Sequence, residues 1–162
     1  MPPPFLKGYS GQSTDELLAL EENYRVDSIV LAFEEALLHK APPELTREEQ
    51  YVLALEALER EVNNGGYLQF FTNACEHAAI VETALRAIDC PTMAQITHEA
   101  FASLELEEEF TPDDIAAAAE DADESVREVL EECDNRYFDD GEPIADRLFD
   151  WIRKNRKAIR VG

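Results

Sequence analysis

Basic residues are scarce in this sequence. Fourteen lysines and arginines, only four of them lysines, stand against 36 acids, which leaves a net charge of −22. Such a field repels nucleic acids and anionic membrane surfaces and attracts basic partners. No apolar run is long enough to span a bilayer, and residues 1–14 lack the basic and apolar regions of a signal peptide. We therefore expect a cytoplasmic protein that binds neither nucleic acids nor membranes directly.

Side chains suited to covalent or metal chemistry are also few. Cys75, Cys90 and Cys133 are far apart and form no CxxC pair, which predicts buried free thiols in a reducing compartment. Cys75 with His77 supplies only two zinc ligands, and residues 134–142, DNRYFDDGE, lack the spacing of a calcium loop. No GxSxG, phosphate-loop or HExxH motif is present. We expect no metal, no cofactor and no catalytic residue.

Two-residue alternation of apolar and polar residues is almost absent. Apolar residues instead recur every three to four positions, which predicts an all-α fold. The predicted helices are about 15–39, with a break near Asn23 as the alternative, 46–62, 67–73, 76–89, 91–104, one from Thr111, 121–137 and 142–158. We expect one compact domain, 15–160, that forms an orthogonal or irregular bundle of seven or eight helices after an extended N-terminal arm, 1–14.

Capping signals support several of these boundaries. Ser13 or Thr14 can cap the first helix, because both carry a hydroxyl that accepts from an unpaired helical N–H. Thr46 and Glu49 have the spacing of a capping box. The stretch TPDD, 111–114, combines a capping threonine, a proline in the first turn and acids at the positive end of the helix.

The stretch EVNNGGYLQFFTN, residues 61–73, combines a helix stop with an aromatic helix. Its glycine pair can take the positive φ that ends a helix. Tyr67, Phe70 and Phe71 follow at helical spacing and are predicted to anchor the core. Nearby amides can satisfy backbone groups at the turn, and a polar pocket at the same place is the alternative, which would indicate an enzyme. These amides are Asn63, Asn64, Gln69 and Asn73.

Acids are concentrated between residues 105 and 142. This segment holds 17 acids and two bases, so that −15 of the net −22 lies in less than a quarter of the chain. Like charges three or four residues apart destabilise a helix by roughly 0.2–0.5 kcal/mol per pair, so core packing must offset this repulsion. The apolar stripe that supplies such packing in the 121–137 helix is Val126, Val129, Leu130, Cys133 and Tyr137.

The spacing of these charges is close to that of a nucleic-acid strand. Seventeen helical residues extend over about 25 Å, along which one DNA strand carries about seven phosphates. The 121–137 helix carries seven acids: Asp121, Asp123, Glu124, Glu128, Glu131, Glu132 and Asp134. A surface that binds a basic protein is one interpretation of this concentration. A solvated, solubilising surface, as in a salt-adapted protein, is the other.

Three segments of the chain are distinctive. They are EVNNGGYLQFFTN at 61–73, ALRAIDCPTMAQITHEAFASL at 84–104 and CDNRYFDDGEPIADRLFDWIRKN at 133–155. Together they resemble a family of bacterial DNA-mimic proteins, and the resemblance extends over about 45–158. The most specific part is the asparagine-glycine motif of the first segment: Asn63, Asn64, Gly65, Gly66, Tyr67, Gln69, Phe70, Phe71 and Asn73.

The resemblance implies an all-α protein that acts as a DNA mimic rather than as an enzyme, and it allows a homodimer. Such a protein presents carboxylates where DNA presents phosphates, and it blocks DNA binding by a basic transcriptional regulator or nucleoid protein. Family membership alone does not transfer this function, but the acidic segment points to it independently. The expected phosphate surrogates are Glu107, Glu108, Asp113, Asp114, Asp121, Glu124, Glu128, Glu131, Glu132, Asp139 and Asp140.

Overall fold

All regular structure in this computed structural model, which describes residues 2–162, is helical, as predicted. The α-helices of this part of the chain are α1 Thr14–Leu18, α2 Val26–Leu37, α3 Arg47–Asn73, α4 Cys75–Ala78, α5 Val81–Ala87, α6 Pro91–Ala102, α7 Pro112–Glu120, α8 Glu124–Asp139 and α9 Ile144–Lys154. Within the same residues, no helix has both the length and the apolar character needed to cross a bilayer.

Two predicted helices are each divided and two others, 46–62 and 67–73, are joined in α3, so residues 2–162 contain nine α-helices where seven or eight were expected. The predicted helix 15–39 is replaced by α1, a short 3₁₀ helix and α2, with the break at Asn23 that the sequence allowed as an alternative. Ser13 caps α1 through a capping box with Glu16, which defines the start of that short helix. The predicted helix 76–89 is divided into α4 and α5.

Two other predicted helix starts are confirmed in atomic detail. The N–H of Thr46 donates to Glu49 Oε1 at 3.0 Å, and the N–H of Glu49 donates back to Thr46 Oγ1 at 3.0 Å. Thr111 and Asp114 exchange the same pair of hydrogen bonds at the start of α7. Each box satisfies two of the backbone donors that a helix start leaves without an intrahelical acceptor.

The chain forms two compact units, and their boundary falls inside α3. The first unit comprises the residues up to Glu56 together with Pro143–Gly162. In it, α2 packs against α9, with Phe33 and Ile152 fully buried. The N-terminal segment lies on this unit, since Leu6 is buried and its N–H donates to the hydroxyl of Ser28.

Two bases of the first unit, Lys40 and Arg153, form ion pairs with acids of the same unit. The carboxylate of buried Glu49 lies 2.6 Å from the Lys40 ammonium and also accepts the N–H of Arg160. Burial by itself raises the pKa of Glu49, but Lys40 and the backbone donors outweigh it and lower that pKa. Arg153 forms an ion pair with Glu21 at 2.6 Å.

The second unit, Ala57–Glu142, is built around the aromatic residues of α3. Tyr67, Phe70 and Phe71 are fully buried, which confirms the prediction that they anchor the core. The Tyr67 hydroxyl lies 2.7 Å from the hydroxyl of Thr97 in α6. Helix α6 packs against both α5 and α8, and α4 packs against α7. This packing holds α8, the most acidic helix, on the unit through its apolar side.

Three large apolar residues of the predicted helices 15–39 and 121–137 are exposed, and one of them, Val129, was expected on a buried apolar stripe. They are Leu31, Leu38 and Val129, with 40%, 64% and 39% of their surface accessible. Leu31 and Leu38 line an open groove beside Phe5. Helical spacing indicates which residues share a face, whereas coverage of that face depends on neighbours elsewhere in the chain.

Candidate functional site

Five carboxylates form one face of α8, which we call the acidic face. With about 100° of rotation per residue, they fall within a sector of about 100°, opposite the buried residues Leu130, Cys133 and Tyr137. From first to last they extend over about 22 Å, at 1.5 Å per residue. All five side chains are exposed: Glu124, Glu128, Glu131, Glu132 and Asp139.

The six remaining predicted surrogates flank this face along the chain. Glu107 and Glu108 lie in the loop before α7, Asp113 and Asp114 lie in the first turn of α7, and Asp121 and Asp140 cap α7 and α8 at their C-terminal ends. All eleven residues are exposed. Within residues 2–162, none of them forms an ion pair with a base. Their charge is therefore available to a partner.

One of the seven acids counted on the predicted 121–137 helix does not belong to this exposed set. Asp134 is half-buried, and its Oδ1 accepts the N–H of Tyr67 at 2.8 Å. Asp123 remains exposed but caps α8 by accepting the N–H of Val126 at 2.9 Å. The predicted match of seven carboxylates to seven phosphates is therefore wrong, since six of the seven face solvent.

The charge of the protein is divided unequally between the two units. The second unit, Ala57–Glu142, carries 23 acids and four bases, a net charge of −19. The first unit carries 13 acids and ten bases, a net charge of −3. The units are similar in length, so nearly all of the excess negative charge belongs to the unit that carries the acidic face.

Two bases lie on α8 itself, at the edges of the acidic face. Arg136 forms an ion pair with Glu99 of α6 at 3.0 Å, so it helps to hold the helix on the unit. Arg127 is exposed, and its Nε donates to the carbonyl of Ala122 at 3.0 Å. It lies three residues after Glu124 and is the cation nearest to the acidic face in sequence.

The asparagine-glycine motif forms a kink in α3. Gly65 has φ −159° and ψ 15°, and Gly66 has φ 78° and ψ −175°, so the first helical half ends with a positive φ as predicted. The amide of Asn63 donates to the carboxylate of Glu59, and the amide of Gln69 donates to Glu61 at 2.6 Å. These two amides thus bond within the motif and the turn that precedes it.

Two carboxyl groups beside this kink have raised pKa values. Burial raises the pKa of Glu59, although Tyr137 and Asn63 donate hydrogen bonds to it. Burial also raises the pKa of Asp134, against the hydrogen bond from the N–H of Tyr67. Two residues of α8 therefore contact α3 beside the kink: Asp134 bonds to the N–H of Tyr67, and Tyr137 bonds to Glu59.

Metal-ligating and nucleophilic side chains do not gather at one place in this fold. From residue 2 to residue 162, no group of three or more His, Cys, Asp or Glu side chains has the geometry to hold a metal ion. Cys90 and Cys133 are buried free thiols, and Cys75 is half-buried. Burial, followed by the nearby Glu76 carboxylate, raises the pKa of Cys75, and burial raises that of Cys133 to about 11. Both shifts disfavour the thiolate that nucleophilic catalysis requires.

Comparison with known protein families gives a match over most of the chain. A family model described as DMP19-like protein matches residues 43–155, a region that includes the kink and every helix from α3 to α9. No curated protein and no solved structure matches the chain significantly.

Proposed function

Because this chain belongs to the DMP19-like protein family, a family of DNA mimics, we propose that its acidic surface occupies the DNA-binding face of a basic protein. The eleven exposed carboxylates named above form this acidic surface. In the complex they take the positions of DNA phosphates, and the bound protein is excluded from DNA. The partner is a transcriptional regulator or a nucleoid protein.

The division of charge between the units is the observation that carries this proposal. A salt-adapted surface needs acids over the whole exterior, yet the two units carry −19 and −3. In addition, the acidic surface lacks ion pairs within the part of the chain that the structure describes. Mutual repulsion of these carboxylates is then relieved by the lysines and arginines of a DNA-binding protein.

Electrostatic complementarity also determines how the complex responds to salt. Exposed charges separated by more than a Debye length are screened, and this length falls from about 10 Å at 0.1 M salt to about 3 Å at 1 M. Association is therefore fast at low salt and weakens steeply as salt is added. The family is not an enzyme family, so the carboxylates act through their charge and position.

We expect the immobilised protein to retain basic DNA-binding proteins from a bacterial lysate at about 50 mM salt, where surface charges are weakly screened. Duplex DNA added to the wash should release them, because it competes for the same face of the partner. Mass spectrometry of the released fraction identifies them. Retention of proteins that duplex DNA does not release, or retention that about 0.5 M salt leaves unchanged, would contradict the proposal.

Substitution of Arg127 by Gln should strengthen binding to the released DNA-binding protein by about threefold, because one cation beside the acidic face no longer repels its lysines and arginines. Isothermal titration calorimetry measures the change. Lys7→Gln is the matched control, since Lys7 is an exposed base of the first unit and its loss changes the net charge equally. Equal gains in both variants would show that net charge, rather than the acidic face, governs binding.

A further inference from the structure

We propose that the glycine kink of α3 sets the orientation of the acidic face, and that Asp134 is the positioning residue that connects the two. The inference rests on the proposed function for its biological meaning, since it states how the phosphate surrogates are held in place. It assigns to the asparagine-glycine motif a role in the mimic surface as well as in the core.

Packing alone leaves the rotation of α8 weakly determined. Only three of its 16 residues, Leu130, Cys133 and Tyr137, are buried, and Val129 beside them is exposed. A rotation of the helix by a full residue, about 100°, would expose these three residues, whereas a smaller rotation that keeps them inside would still redirect the carboxylates. Additional contacts at defined positions are therefore needed to hold one orientation.

Two polar contacts supply this constraint, one on each flank of the acidic face. Asp134 accepts the N–H of Tyr67 at 2.8 Å, and Arg136 pairs with Glu99 at 3.0 Å. On the helix, Asp134 and Arg136 are separated by about 200° of rotation measured across the solvent side, and the acidic face lies within that arc. The helix is thus held at both edges of the surface that it presents.

The donor of the Asp134 hydrogen bond depends on the kink. The N–H of Tyr67 opens the second helical half of α3, where backbone donors lack intrahelical acceptors, so the Asp134 carboxylate serves as a cap from another helix. Tyr67 is a rigid reference point, because it is fully buried and its hydroxyl meets Thr97 at 2.7 Å.

Gly66 supplies the space that the carboxylate needs. A Cβ built on this glycine would lie closer than 3.0 Å to three atoms of the Asp134 carboxyl group. The φ of 78° at the same residue is also one that L side chains rarely adopt. Two adjacent residues of the motif therefore serve Asp134: Tyr67 provides the hydrogen-bond donor, and Gly66 provides the room for the carboxylate to approach.

Two substitutions of Asp134 distinguish the effect of the position of its carboxylate from the effect of its charge. Asp134→Asn keeps an oxygen acceptor at the same distance from the backbone but removes the charge. Asp134→Glu keeps the charge but adds a methylene, which moves the carboxylate out of the space over Gly66. Both changes are small enough to leave the aromatic core of the unit intact, and circular dichroism verifies this.

The first readout is hydrogen–deuterium exchange of the α8 amides, which needs no partner. We expect α8 of Asp134→Glu to exchange about tenfold faster than in the wild type while α5 is unchanged, because the displaced carboxylate no longer accepts the N–H of Tyr67. Asp134→Asn should exchange like the wild type. The inference is overturned if Asp134→Asn is the faster of the two variants or if both exchange like the wild type.

The second readout is binding to a purified histone-like nucleoid protein, measured by calorimetry. We expect Asp134→Glu to bind about tenfold more weakly than the wild type and Asp134→Asn to bind within about threefold of it. The reverse order would make Asp134 a phosphate surrogate and overturn the positioning role. Absence of binding by the wild type counts against the proposed function for nucleoid proteins, whereas the exchange result then decides the present inference by itself.

Discussion

Simultaneous reversal of Glu124, Glu128, Glu131 and Glu132 to lysine should weaken binding to the DNA-binding partner at least 100-fold, roughly 3 kcal/mol or more. These residues form most of the acidic face, and lysines there would meet the lysines and arginines of the partner. Calorimetry at about 0.1 M salt, where the Debye length is about 10 Å, measures the loss.

The fold should survive this fourfold reversal. All four side chains are exposed and form no ion pair within residues 2–162, and lysine is nearly as good a helix former as glutamate. Repulsion among four carboxylates is replaced by repulsion among four ammonium groups of the same spacing. Circular dichroism should therefore show unchanged helix content.

A matched control tests whether position or total charge matters. Reversal of four exposed acids of the first unit gives the same net charge of −14, because each substitution adds two positive charges to −22. We expect this control to bind within about threefold of the wild type, since its four acids belong to the first unit and lie outside the acidic surface. Comparable losses in the two variants would reject the acidic face as the binding surface. The control residues are Asp15, Glu22, Glu44 and Asp146.

Gly66→Ala should lower the free energy of unfolding by about 3–5 kcal/mol, the largest stability change that we expect from a single methyl group. The pair φ 78° and ψ −175° lies in a region that is essentially restricted to glycine. The added Cβ also meets the Asp134 carboxyl group and displaces it from the N–H of Tyr67. Urea denaturation followed by circular dichroism measures the change.

Gly11→Ala is the comparison for Gly66→Ala. Gly11 has a similar φ of 94°, but a Cβ there would meet no atom within 4 Å. We expect Gly11→Ala to lower the free energy of unfolding by about 1–2 kcal/mol, the typical penalty for an L residue in the left-handed conformation. If both substitutions lowered the free energy of unfolding equally, the close approach of Asp134 would not contribute to the requirement for glycine at position 66.

Addition of Asp134→Ala to Gly66→Ala tests the contact directly. Removal of the carboxyl group leaves room for the new methyl group, so the double variant should be more stable than the sum of the two single effects predicts, by about 1 kcal/mol or more. Strict additivity would mean that the two residues do not interact. This cycle depends on no binding partner.

Local signals in the sequence were sufficient for several helix starts, whereas the predicted helices 121–137 and 142–158 became Glu124–Asp139 and Ile144–Lys154. The helix starts at Thr46 and Thr111 were predicted correctly because each capping signal lies within four residues of the helix start that it defines. The core role of Tyr67 and its neighbours followed from helical spacing alone. The divided helix 76–89 was missed, since no glycine or proline marks its break.

Local sequence signals could not predict contacts between residues that are far apart in the chain. Asp134 was counted as one more surface charge because it has the same spacing as its acidic neighbours, yet it bonds to a residue 67 positions earlier. Arg136 and Glu99 likewise meet only because α6 packs against α8. The exposure of Val129 has the same origin, since periodicity defines a face but not what covers it.

The sequence by itself determined the helical class, the sum of the charge and its concentration between residues 105 and 142, because these depend on composition and local spacing. Only the tertiary structure decided which carboxylates face solvent and which one turns inward to the kink at Gly66. The physical reason is that burial and hydrogen bonding are set by residues distant in sequence, which packing brings together.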